Sequence, residues 1–82
     1  MSLVELTEEI VKSLVSNTDG VKVKEFPTDE ENTVLIKIIV DEADMGRVIG
    51  KNGRTANAIR TLVQASSSLH DNKYVKINID KF

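Results

Sequence analysis

Gly50, Lys51, Asn52 and Gly53 form the one short segment of this sequence whose residue types point to a particular chemistry. Glycine adopts positive φ freely and has no Cβ to hold a neighbour away. A tight turn bounded by two glycines therefore lets the backbone of another molecule lie directly against it. Lys51 and Arg54 place mobile cations at that turn, and Arg47 adds another just before it. A helix beginning at Arg54 turns free N–H groups and a partial positive charge toward the same point. Together these groups suit the phosphates of a nucleic-acid strand, held by its backbone without reading its sequence. Asn52 tolerates the left-handed conformation such turns require. Gly46 would allow close helix packing.

A net charge of −2 argues at first against a polyanionic ligand, but its distribution does not. Met1 to Met45 holds four lysines against eleven acids, a net of −7. Gly46 to Gln64 holds Arg47, Lys51, Arg54 and Arg60 with no acid, a net of +4, and Ala65 to Phe82 is +1. Anions respond to such local fields. For Arg60, on the polar side of the following helix, ligand contact and a plain solvated role are both open.

The flanking pattern supplies the elements that must position this turn. Ser2-x-x-Glu5 reads as a capping box, and Leu3, Leu6, Ile10 and Leu14, widened by Val4, Val11 and Val15, make an amphipathic helix. Asn17-Thr18-Asp19-Gly20 stops it. Val21 to Phe26 reads as a short strand with Val21, Val23 and Glu25 on one face. Pro27 to Asn32 is an acidic hairpin loop, and the β-branched run Thr33 to Val40 is a central strand. These two strands pair antiparallel, because the link is too short for a crossover. Asp41, Glu42 and Asp44 are N-cap candidates for a short helix through Met45, Arg47, Val48 and Ile49.

A longer helix spans Arg54 to Leu69. Its apolar residues Ala56, Ala58, Ile59, Leu62, Val63, Ala65 and Leu69 cover about half its circumference. That arc is wider than one small sheet requires, so Ile59, Leu62 and Val63 are candidates for a dimer face, with core packing as the alternative. Tyr74 to Asp80 alternates as a half-buried strand. The order is α-β-β-α-α-β: an α+β fold with three helices on one face of a three-stranded sheet, in one domain over residues 1–82.

Other chemistries find no support. Gly46 to Gly50 encloses one residue too few for a phosphate-binding P-loop, and Asn52 stands where a Ser or Thr should ligate Mg²⁺. His70, the only histidine, sits in a polar turn, and there is no cysteine to join it. Neither Asp29-Glu30-Glu31 nor Asp41-Glu42-Asp44 has the spacing of a Ca²⁺ loop. No catalytic residue, metal or cofactor is expected. Met1-Ser2-Leu3-Val4-Glu5 has neither the basic region nor the apolar run of a signal peptide. The Val34 to Val40 run is too short to span a bilayer. The lack of cysteine fits a reducing cytoplasm.

These residues carry a resemblance. Gly46-Arg47-Val48-Ile49-Gly50-Lys51-Asn52-Gly53-Arg54 resembles the Val-Ile-Gly-x-x-Gly signature of KH domains, and Thr55 to Val63 extends the match. The element order resembles the type II form of that fold, and the whole chain is similar to the small stand-alone bacterial KH proteins of the KhpA (YlqC) family. The resemblance implies single-stranded RNA of about four nucleotides held in a groove. The GxxG loop would form one wall, with Arg47, Ile49, Gly50, Lys51, Asn52, Gly53 and Arg54 as RNA-binding residues. Val48 and Ile49, and Ile36, Ile38 or Val40, would be either groove floor or core. It implies also a homodimer, and a heterodimer with a larger KH-containing protein of the Jag/KhpB type. RNA chaperoning, control of cell-envelope growth and cell shape, and ribosome-associated work all stay open.

Overall fold

A computed structural model describes residues 1–82. The capping box at Ser2 is complete: its Oγ accepts the Glu5 N–H, and the Glu5 carboxylate accepts the Ser2 N–H. Helix α1 (Leu3–Lys12) follows. Its buried line is Leu3, Thr7 and Val11, with Val4 and Ile10 beside it. The expected stripe holds except that Thr7, not Leu6, takes the buried position of the second turn. Thr7 is admitted to the core because its hydroxyl donates to the Leu3 carbonyl, at 2.7 Å, and so carries no unmet hydrogen bond inward.

Strands β1 (Lys22–Pro27) and β2 (Thr33–Val40) form the antiparallel hairpin, and β3 (Tyr74–Lys81) pairs parallel with β2. The sheet order β1-β2-β3 puts β2 in the centre. A parallel partner requires a crossover, and helices α2 (Met45–Ile49) and α3 (Arg54–His70) provide it. Both lie with α1 on one face of the sheet, α1 over β1 and α3 over β3. This is the expected α-β-β-α-α-β order, with three helices and a three-stranded sheet. No helix is long and apolar enough to cross a membrane.

The core lies between these layers. Ile36, Ile38 and Val40 of β2 point into it and are fully buried, together with Val48, Ile59 and Val63 from α2 and α3. Two polar side chains of α3 fasten it to β3. Gln64 accepts the Val75 N–H and donates to the Lys73 carbonyl, which also accepts from the Ser67 hydroxyl.

Candidate nucleic-acid interface

Helix α2 is five residues long and is held from both ends. Val48 anchors its middle in the core, fully buried. Asp44, one of the N-cap candidates, stands at its start but makes no cap bond. Instead the carboxylate reaches back across the molecule and accepts the N–H groups of Ser16 and Asn17, both at 3.0 Å. Those two bonds hold the carboxyl below the usual aspartate range, with Arg47 adding to the effect. The cap role falls to Asp41, whose side chain accepts the Ala43 N–H at the head of a 3₁₀ turn leading into α2. Nothing in the local pattern of Asp44 marks it for a partner 28 residues away. Only the fold brings it to the segment after α1.

The loop after α2 is built from left-handed residues. Gly50 closes the helix with its N–H on the Gly46 carbonyl, at 2.9 Å, and takes φ +75°. Asn52 and Gly53 follow at φ +56° and +77°, and Gly53 donates back to Gly50 at 3.2 Å. The two glycines serve different ends. Against Gly50 a Cβ would lie 2.7 Å from the Thr55 Cβ, so the loop itself excludes a side chain there. Around Gly53 the same Cβ meets nothing within 4 Å, so that position is open to an approaching ligand. Gly46 has ordinary φ and also faces open space, so helix packing does not call for it.

Gly53 brings no side chain to cap α3. The first turn of that 17-residue helix therefore opens onto the loop with its partial positive charge uncovered. Lys51, Asn52 and Arg54 are exposed around it, and neither cation has an acidic partner. Arg47 is exposed on the α2 side, 3.9 Å from Asp44. Ile49 is half-buried beside the loop. Arg60 bonds Asn57 on its own helix and stands apart from this cluster.

For two groups of residues that the sequence left open between a binding surface and the core, the structure decides mainly for the core. Ile36, Ile38, Val40 and Val48 are core residues with no exposed surface, so in this conformation they offer no floor for a base. Ile59 and Val63, candidates for either a dimer face or the core, are core residues, 1% and 0% exposed, and only Leu62 of that trio reaches solvent. The apolar residues of α3 divide into two stripes. Ala56, Ile59, Val63 and Ser67 face the sheet. Ala58, Leu62, Ala65 and Leu69 lie on the opposite side, exposed and spaced four, three and four residues apart.

The model of the KhpA/KhpB KH domain matches residues 4–79 of this chain. A relative named RNA-binding protein KhpA, from Caldanaerobacter subterraneus, is 45% identical over 75 residues, which cover 92% of this chain and 96% of the relative. A protein of the same name from Listeria monocytogenes is 46% identical over 69 residues, 84% of this chain and 88% of its own. Among solved structures, an Aquifex aeolicus Era variant bound to GDP·AlF4⁻ is similar over 98% of this chain, with a TM-score of 0.72 and 24% identity. Era in complex with MgGDPNP and nucleotides 1506–1542 of 16S ribosomal RNA is similar over 96%, with a TM-score of 0.68 and 25% identity. The chain spans only 30% and 29% of those two Era chains.

Proposed function

The chain belongs to the KhpA/KhpB KH-domain family, and from that premise we propose that it binds single-stranded RNA by clamping the strand's backbone at Gly50–Gly53. The observation that carries this is the loop's geometry. Three left-handed residues, an open position at Gly53 and an uncapped helix start converge where Lys51 and Arg54 lack acidic partners. A phosphate placed there meets N–H dipoles and two free cations. Arg47 guides the strand along α2, Asn52 holds the turn, and Ile49 gives a base an aliphatic contact. Relatives named for RNA binding, and an Era structure that holds ribosomal RNA, support an RNA ligand. No cofactor or catalytic group takes part. The protein works in the cytoplasm as a single-domain post-transcriptional regulator or RNA chaperone. The test is RNA affinity after Lys51→Asp with Asn52→Asp, in a variant shown to be folded.

One observation favours pairing as well. The outer stripe of α3 alternates Ala58 and Ala65 with Leu62 and Leu69, small with large, as two close-packed helices require. A second copy covers that stripe, and a larger KH protein of the Jag/KhpB type competes for it. Pairing sets two weak clamps on one RNA and raises the effective affinity of each.

A further inference from the structure

All three helices cover one face of the sheet, which leaves the other face bare. We propose that this bare face is a second contact for single-stranded RNA, built from Lys22, Lys24 and Lys37 with Ile39 and Phe26 at the two ends of the row.

The register assembles it. Lys24 stands directly opposite Lys37, Lys22 opposite Ile39, and Phe26 opposite Leu35. Lys22, Lys24, Phe26, Lys37 and Ile39 line one shallow depression of about 90 Å³, walled by carbon. Two like charges directly opposed across an antiparallel pair repel. The chain has acids to spare, thirteen of them, yet none pairs with Lys22, Lys24 or Lys37. Glu30 pairs with Lys76 and Asp80 accepts the Lys81 N–H, while Glu8 and Asp19, which share a cleft with Lys22 and Lys24, form no ion pair with either. The opposed Lys24 and Lys37 form no ion pair within the fold, and a local conflict left standing in this way is what a ligand-meeting surface shows. A polyanion removes the conflict.

The aromatic ring selects which polyanion. Phe26 is 41% exposed at the end of the lysine row, next to Lys24 on the same face, and the lysine stems extend the apolar floor beside it. Bases stack on such a ring while the backbone follows the cations. This second contact presupposes RNA at the Gly50–Gly53 loop, on the helix side of the molecule. A strand of about four nucleotides fills the loop alone. A longer strand reaches both sites and gains by effective concentration.

The test compares fluorescent oligouridylates of about four and about twenty nucleotides across a salt series. The variant is Lys22→Gln, Lys24→Gln, Lys37→Gln. Its affinity for the long strand should fall about tenfold, and its salt slope should flatten by about 2, for three lost phosphate contacts. Short-strand affinity should be unchanged, and the melting point should hold or rise as the repulsion is removed. Phe26→Leu should weaken the long strand about fivefold with no change of slope. Wild-type affinity and slope for the long strand in the triple variant would overturn the second contact. So would loss of binding to phosphatidylserine vesicles with RNA binding intact, which would assign the face to a membrane. Failure of the loop reading looks different: Lys51→Asp/Asn52→Asp would then keep short-strand binding while the sheet variant still loses the long strand.

Discussion

Thr55 fills the space that a side chain on Gly50 would need. A Cβ at Gly50 would lie 2.7 Å from the Thr55 Cβ and 2.8 Å from its backbone nitrogen. Gly50 is therefore demanded by the loop's own packing, whatever binds to it. Variants of Gly50 test folding, and the ligand is tested at Lys51, Asn52 and Gly53.

Gly50→Ala should destabilise the protein more than Gly53→Ala. At Gly53 only the left-handed strain is added, about 1–2 kcal/mol. At Gly50 the collision adds to it, for about 3 kcal/mol or more. Urea denaturation of the two variants checks the order, and equal losses would contradict the packing described.

Gln64→Ala should cost about 1–3 kcal/mol, because the Val75 N–H and the Lys73 carbonyl both lose a partner where α3 meets β3. Gln64→Glu keeps the acceptor for Val75 and loses the donor to Lys73, so it should fall between wild type and alanine. Thermal melts of the three proteins give the ranking.

Asp44→Ala should lower stability at neutral pH, and the gap from wild type should close in acid. The bonds from Ser16 and Asn17 hold the folded carboxyl below the ordinary value of 3.8, so the unfolded chain binds the proton more readily. The stabilisation is complete above that ordinary value and is lost as pH falls through the lower, folded one. Denaturant midpoints at neutral pH and near pH 3 supply the check.

Leu62→Glu, on the outer stripe of α3, should leave the fold intact and convert a dimer to a monomer in sedimentation at tens of micromolar. Ile59→Lys should instead unfold the domain, because Ile59 is 1% exposed and a lysine there buries an unpaired charge. A monomeric wild type would sink the pairing.

The fold was legible because each element carries a local signature. Ser2-x-x-Glu5 begins α1, the β-branched run marks Thr33–Val40, and alternation marks β3. The loop was legible for the same reason, since two glycines and an asparagine announce positive φ. What could not be read was whatever depends on contacts distant in sequence. Asp44 looks like a helix cap and serves Ser16 and Asn17. Thr7 carries a polar hydroxyl and is nonetheless core, because that hydroxyl bonds back along its own helix. The apolar arc of α3 does not reveal which half the sheet takes. Ile59 and Val63 go inward and Leu62 outward, and only the packing of α3 on β3 decides it.

The central claim is tested most directly at the loop. Lys51→Asp with Asn52→Asp puts two negative charges where phosphates are proposed to sit and leaves the core untouched. Binding of a short single-stranded RNA is measured by fluorescence anisotropy, with circular dichroism to establish the fold. The wild-type protein should bind weakly, with log affinity falling against log salt at a slope of about −1 to −3. The folded variant should show no measurable binding. A folded variant that binds the short RNA as the wild type does would contradict the clamp at Gly50–Gly53.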